Sequence, residues 1–197
     1  HELAQAGIDV NFESIPIRQQ TCYDPGGREH VLRSSEPLFY LVRRGSEPGT
    51  IDQALKEQAL SVGVELRFGQ QLREYPEKAV VAHGPRRANA IAVGYLFETD
   101  APDGTYGALS DRLAPKGYCY LLINQGRATL STCLFDDFRN QDLYLERALE
   151  FFSDKVKFSV ENRRHFGGYG TLATFATPTD GRFLFVGEAV GFQDALW

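Results

Sequence analysis

The sequence predicts an α+β protein, and three observations carry that prediction. Only two stretches hold helical periodicity over several turns, residues 51–62 and 142–155. Between and around them lie short runs rich in β-branched and aromatic residues, punctuated by Gly, Pro and Asn. The block from residue 90 to 180 reads as a mostly antiparallel sheet with a covering helix, and the segments on either side look α/β. At 197 residues, 43% hydrophobic and 24% charged, the chain has an ordinary globular composition. A chain of this length buries roughly 70% of its unfolded surface, enough for one sizeable core or two small ones.

Taken in order, Gly7 reads as the residue just past a helix end, Glu2-Leu3-Ala4-Gln5-Ala6. Asp24-Pro25-Gly26-Gly27 is a turn joining residues 18–23 to Glu29–Arg33 in a hairpin. Residues 38–42 form a strand. Thr50 and Gln53 then make a capping box for a helix whose apolar positions recur to Val62, and Gly63 closes it. Residues 64–68 alternate as a strand, so a strand–helix–strand unit with a parallel pair is expected. Residues 79–82 are a short buried strand ending at His83-Gly84-Pro85. Ala90–Glu98, residues 117–123 and Arg127–Leu134 are strands, and Asn124-Gln125-Gly126 is a hairpin turn. Residues 100–104 and 114–117 are turns. Residues 142–155 are an amphipathic helix with Leu145, Leu149, Phe152 and Val156 on one face. Residues 161–166 and 170–175 are two more strands, and residues 183–186 are a buried one.

Charge and composition exclude several functions. The net charge of −5 and the pI near 5.4 argue against a nucleic-acid partner. The pairs Arg43-Arg44, Arg86-Arg87 and Arg163-Arg164 read as solvated faces or strand ends. No apolar run approaches membrane-spanning length, and nothing at the start resembles a signal peptide. Cys22, Cys119 and Cys133 lack metal or redox spacing, which suggests a reduced, cytoplasmic protein with buried thiols. His1, His30, His83 and His165 are too dispersed for a metal site. The chain contains no methionine. It starts in what reads as a helix end and stops at Trp197, just past a turn that should launch a helix. An interior piece of a longer protein is therefore expected.

Catalytic constellations are scarce. There is no Gly-x-Gly-x-x-Gly, no G-x-S-x-G elbow and no H-E-x-x-H helix. Asp136-Asp137, after a strand and before a helix, reads as a cap and not as a working carboxylate pair. Ser34, Ser35 and Ser131 have no base adjacent in sequence. Tyr118, Tyr120, Phe166 and Tyr169 either line an apolar ligand pocket or form the core of the sheet. The last feature is the turn after residues 183–186. Gly187 ends the strand, Glu188 follows, and Ala189, Val190 and Gly191 are compact enough to let a ligand near the backbone. A carboxylate beside free N–H groups suits a polar cofactor, and an ordinary strand and turn fits the same residues.

Four segments in order resemble FAD-dependent oxidoreductases of the p-hydroxybenzoate hydroxylase-like fold, the geranylgeranyl reductase-like branch most of all. Tyr40-Leu41-Val42-Arg43-Arg44, followed by Ile51-Asp52 and Leu55, is similar to the strand-Arg-(Leu/Phe)-Asp-x-x-Leu that starts a helix in these flavoproteins. Val80-Val81-Ala82-His83-Gly84-Pro85 resembles a strand ending in Asp-Gly beside the cofactor. Lys116-Gly117-Tyr118-Cys119-Tyr120-Leu121-Leu122-Ile123 resembles the Gly-Tyr-x-Trp-x-Phe-Pro motif that lines the substrate cavity. Gly187-Glu188-Ala189-Val190-Gly191-Phe192 resembles Gly-Asp-Ala-Ala-Gly-Phe, whose acid holds the ribityl chain of FAD.

The resemblance implies an incomplete FAD/NAD(P)-binding-type fold. Residues 1–89 would be parts of the FAD domain, 90–180 the substrate domain, and 181–197 the return strand and flavin-facing turn. Gly187, Glu188, Ala189, Val190, Gly191, Arg44, His83 and Gly84 would contact FAD, and Tyr118 and Tyr120 would wall the substrate pocket. The implied function is reduction or dehydrogenation of a small apolar molecule, isoprenoid or lipid-like, with NAD(P)H a candidate electron donor. Alternatives are a flavin monooxygenase on the same fold and a non-catalytic lipid- or protein-binding module. Departures from the motifs are Glu188 for Asp, His83 for Asp, Tyr120, Leu122 and Ile123 for Trp, Phe and Pro, and a short 69–79 segment. Without the Gly-rich nucleotide loop these residues alone should bind FAD weakly or not at all, and their uncovered strands should favour self-association.

Overall fold

The computed structural model describes residues 2–72, 74–84, 88–172 and 177–191. The first elements are α1 (Glu2–Gln5), β1 (Ser14–Ile17), β2 (Gln19–Tyr23), β3 (Glu29–Arg33), β4 (Phe39–Val42) and α2 (Ile51–Ser61). Then follow β5 (Ala79–Val81), β6 (Ala90–Glu98), β7 (Gly104–Ala108), β8 (Tyr118–Asn124), β9 (Arg127–Leu134), α3 (Gln141–Val156), β10 (Glu161–Gly170) and β11 (Phe183–Phe185). The chain divides into one unit of residues 1–19 and 33–73 and another of residues 20–32 and 74–197.

In the first unit β1 pairs antiparallel with β4, Ser14 opposite Val42 and Ile17 opposite Phe39. Both helices end as their glycines predict. Gly7 (φ +73°) donates to Ala4 O and Ile8 to Leu3 O; Gly63 (φ +85°) donates to Leu60 O and Val64 to Ala59 O. Each pair is a Schellman closure, which satisfies carbonyls the helix would otherwise leave bare. At the start of α2 the buried Thr50 hydroxyl accepts the Gln53 amide at 3.3 Å. The reciprocal half of the capping box is not formed. Gln53 Nε2 donates to Glu57 instead, and the Thr50 amide is taken by Glu47 O.

The predicted strand at 64–68 is absent, and with it the strand–helix–strand unit. Residues 64–68 carry no regular secondary structure, no described strand pairs with them, and Phe68 is 77% exposed. Alternating Val64, Leu66 and Phe68 supply only the side-chain half of a strand, because the ladder needs a neighbour.

The second unit is a seven-stranded sheet in the order β10-β6-β9-β8-β7-β2-β3, antiparallel from β10 to β7. The β2–β3 hairpin, turned by Gly27 (φ +78°), adds to its edge with β2 parallel to β7. Gln125 (φ 50°) and Gly126 (φ 73°) make the β8–β9 turn in the twist-matched form. β7 runs through a stretch read as a turn up to Gly104, because Gly104-Thr105-Tyr106-Gly107-Ala108 carries two glycines in five residues. Residues 161–166 and 170 belong to one strand, β10, with a register shift between Glu161 and Arg164. Residues 173–175 of the second predicted strand lie outside the described residues.

One sheet face is covered by α3, whose Leu145, Ala148 and Phe152 are fully buried against Cys119, Leu121, Ile123, Ala128 and Leu130. Strand alternation delivers this face: residues 119, 121 and 123 of β8 and 128 and 130 of β9 point to it together. The helix face predicted from Leu145, Leu149, Phe152 and Val156 is the one that packs. Asp136-Asp137 does not cap in the expected way. Asp137 is left-handed (φ 51°) and makes no cap bond to backbone. Its carboxylate accepts from Asn140 Nδ2 and Tyr144 OH, while Asp136 pairs with Lys116 Nζ at 2.6 Å.

The final pair is small. β11 runs parallel to β5, with Phe183 opposite Ala79 and Phe185 opposite Val81. Neither strand is fully buried, since Val80 is 64% and Leu184 46% exposed, which corrects the buried strand read from residues 183–186.

Candidate functional site

Parallel pairing of β5 and β11 puts their carboxyl ends side by side. The Val186 amide extends the ladder by donating to Val81 O at 3.0 Å. The chain therefore leaves at the same end as Ala82-His83-Gly84 from one strand and Gly187-Glu188 from the other. This brings together two segments about 100 residues apart, His83-Gly84 and Gly187 to Gly191. A crevice outside the carboxyl ends of parallel strands is where open α/β sheets take ligands.

At this end Gly187 (φ +58°) opens a single 3-10 turn, Gly187–Ala189. The amides of Ala189, Val190 and Gly191 donate back to Val186, Gly187 and Glu188 carbonyls at 3.1–3.3 Å. They are not the free donors expected from sequence. Val190 is buried and fixes the turn. Glu188 is half-buried, and no described residue hydrogen-bonds or pairs with its carboxylate. His83 Nδ1 lies 2.7 Å from Gly84 O. Phe192 and the residues after it lie outside the described residues.

Arg44 belongs to the first unit. Its Nε and Nη2 donate to Asp52 Oδ2 and Oδ1, both at 2.8 Å, in a bidentate pair, and the Gly45 amide adds a third bond at 2.7 Å. The Arg44 guanidinium, then the Gly45 amide, pull the Asp52 carboxyl down to about 2. The Arg-to-Asp spacing read from sequence is thus a helix-start clamp, with Thr50 capping the same helix.

The sheet face opposite α3 holds Tyr118 and Tyr120, neighbours on one side of β8 with rings 6.4 Å apart and stacked at 28°. The register adds Ser131 and Cys133 of β9, Ala92 and Gly94 of β6, Phe166 of β10, Thr105 and Gly107 of β7, and Gln20 and Cys22 of β2. On β6 to β9 this face carries a charged side chain only toward the Glu98–Arg127 end. Burial pushes up the Tyr120 hydroxyl and the Cys22 and Cys133 thiols, so all three stay protonated at neutral pH. Such groups donate hydrogen bonds and do not act as bases. Of the two readings of the aromatic cluster, Tyr118, Tyr120 and Phe166 take the face away from the core, whereas Tyr169 shares the α3 side in register with Ile91. Gly94, Ser131, Cys133, Gln20 and Cys22 were missed because cross-strand register is needed to gather them. Alternation within residues 118–124 was the one signal available.

Among the described residues no three His, Cys, Asp or Glu side chains gather as metal ligands, and no helix is long and apolar enough to cross a membrane. A shallow surface depression at the β8–β9 turn, lined by Glu98, Asp100 and Glu161 among others, is occupied with its own contacts. Glu98 accepts from Asn162, and Asp100 from Ser159.

No protein-family model matches the sequence, and no curated protein does. Solved structures do match. A geranylgeranyl bacteriochlorophyll reductase-like protein from Thermoplasma acidophilum superposes with a TM-score of 0.64 at 16% identity, over 96% of this chain and 59% of that one. The myxobacterial chondrochloren halogenase CndH, a variant of the FAD-dependent halogenases, gives 0.61 at 13% identity, over 100% of this chain and 57% of that one. The peptidyl tryptophan dihydroxylase QhpG gives 0.52 at 16% identity, over 90% and 46%. The chain thus has the fold of the p-hydroxybenzoate hydroxylase-type FAD-dependent oxidoreductases, and it spans about half the length of the structures it matches, from 46% to 59%.

Proposed function

We propose that these residues are part of a flavin-dependent oxidoreductase acting on a small apolar molecule. The observation that carries this reading is the Glu188 carboxylate, which no described residue partners, at the shared carboxyl end of β5 and β11. A half-exposed acid at this end is open to a polar partner, and a polyhydroxylated chain such as the ribityl of FAD would suit it. The residues fit the group in part. Glu188 would accept ribityl hydroxyls, and the His83-Gly84 turn would run beside the cofactor. Gly191 would adjoin it from the other turn, whose amides are already used internally.

When bound, FAD supplies the electron-pair transfer itself, and NAD(P)H is a suitable donor to it. This chain's residues would bind, orient and keep dry. The stacked Tyr118 and Tyr120 rings would wall the substrate site, and protonated hydroxyls and thiols would offer it hydrogen-bond donors without charge. Apolar surface against neutral donors suits an isoprenoid or lipid-like substrate. Hydroxylation on the same fold is the second reading, favoured by the likeness to a dihydroxylase. Product analysis with and without O₂ separates the two.

Flavin fluorescence quenching during an FAD titration of the full-length protein tests the reading. Glu188→Ala should weaken binding about ten- to hundred-fold, the loss of one charge-assisted hydrogen bond worth ~1.5–3 kcal/mol. Glu188→Asp should recover most of it. Equal affinity in wild type and Glu188→Ala, or no FAD binding at all, would overturn it.

A further inference from the structure

Two segments link the seven-stranded sheet to the β5–β11 pair, residues 82–89 and 171–182. They leave the sheet side by side, because β6 begins where β10 ends, with Ala90 opposite Gly170. One backbone bond follows, from the Asn89 amide to Gly170 O at 3.1 Å. There the Asn89 side chain takes over from the backbone. Its Nδ2 donates to Leu172 O at 2.6 Å, and its Oδ1 accepts the Leu172 amide at 2.7 Å. A carboxamide is both donor and acceptor, so it engages both backbone groups of Leu172 as a neighbouring strand would.

Asparagine side chains commonly bond nearby backbone, in turns and caps. This one reaches across 83 residues of sequence to join the two segments. The opposite end of the same strand pair is tied differently. Ser159 Oγ, ahead of β10, donates to Asp100 Oδ1, beyond β6, at 2.7 Å. At that end the chain arrives from α3 and runs on to β7, so the tie leads to neither β5 nor β11. From the Asn89–Leu172 contact, in contrast, only residues 82–88 and 173–182 intervene before the β5–β11 pair.

We propose that Asn89 is the positioning residue that holds β5 and β11 in register, and through their shared carboxyl end places Glu188 and His83. It clasps the two linking segments at their roots, so that both strands set out from one fixed point on the sheet. The role toward a cofactor rests on the flavin reading above, and the role in pairing β5 with β11 does not.

Peptide-resolved hydrogen exchange on the full-length protein tests the clasp. Asn89→Ala should speed exchange in peptides covering 79–82 and 183–187 about fivefold or more, the loss of exposed hydrogen bonds. Peptides from β8 and β9 should exchange as in wild type. Asn89→Asp still accepts the Leu172 amide but no longer donates to Leu172 O, so it should lie between Ala and wild type. Ser159→Ala removes the tie at the other end and touches no strand; it should leave 79–82 and 183–187 within twofold of wild type. A Tm near wild type establishes that Asn89→Ala is folded, and the Asn89→Asp arm decides if it is not. Exchange of 183–187 in Asn89→Ala within twofold of wild type, or equal acceleration in Ser159→Ala, overturns the proposal. An FAD titration on the same samples separates the two readings. Asn89→Ala should weaken FAD binding about fivefold and Ser159→Ala should not. Unchanged FAD affinity in Asn89→Ala, where wild type binds, overturns the positioning role. Accelerated exchange in Asn89→Ala with no FAD binding in wild type upholds the clasp and sinks only the flavin reading.

Discussion

Thr50→Val isolates the clamp at the start of α2. Thr50 is 1% exposed, and valine keeps its shape while removing the hydroxyl. That hydroxyl lies 2.6 Å from Gly45 O and 2.7 Å from Glu47 O, and it accepts the Gln53 amide at 3.3 Å. One proton cannot serve two carbonyls at once, and Glu47 O also receives the Thr50 amide, so Gly45 O is the group left bare. Loss of the cap costs about 1 kcal/mol, and the lost carbonyl bond about 1 kcal/mol more. The sum, about 2 kcal/mol, is roughly a 30-fold rise in opening of the helix start. Peptide-resolved hydrogen exchange over residues 43–60 reads it directly. Thr50→Ser should remain within a few-fold of wild type, since it keeps the oxygen. Exchange of the Ile51–Ala54 amides in Thr50→Val within threefold of wild type would refute the reasoning. The same opening should loosen Arg44, because Asp52 rides on this turn.

Two further predictions concern charge and core. The Asp52 carboxyl is held near 2 by Arg44 and the Gly45 amide. A depressed folded-state pKa means the clamp is fully present above the unfolded value near 4 and is lost as pH falls through about 2. The Gly45 amide shift in an NMR titration should therefore move with a midpoint near 2, and Asp52→Asn should abolish the step; a midpoint near 4 would show the pair unformed in solution. Phe152→Ala removes a fully buried ring that packs edge-on against Phe151 and Tyr23. It should cost ~3–5 kcal/mol in urea denaturation, and a loss below about 1 kcal/mol would mean α3 is not seated on the sheet.

The strands and the long helix were legible wherever local chemistry decides the matter. Ala90–Glu98 and Arg127–Leu134 alternate cleanly and sit between unambiguous turns, and α3 repeats its apolar residues on one stripe. Gly7, Gly63 and Gly126 stood where only positive φ will do. What local pattern does not carry is partnership. Residues 64–68 have the alternation of a strand and no neighbour, while the β2–β3 hairpin finds one across a long stretch of sequence. The candidate site divides in the same way. Glu188 and the two tyrosines are marked by their own segments. The sheet-face row Phe166, Gly94, Ser131, Tyr120, Gly107, Cys22 draws one residue from each of six strands and becomes visible only with the register.

The pairing of β5 with β11 also sets an order of assembly. It joins segments separated by roughly 100 residues, and closing a flexible loop of that length costs about 4 kcal/mol in chain entropy. Three parallel residue pairs of which only Val81 is buried cannot meet that cost alone. The intervening sheet must fold first and hold the two ends near each other. The end of the pair that carries Glu188 is then the last part of the second unit to form and the first to open, so damage anywhere in the sheet reaches it before the sheet itself melts.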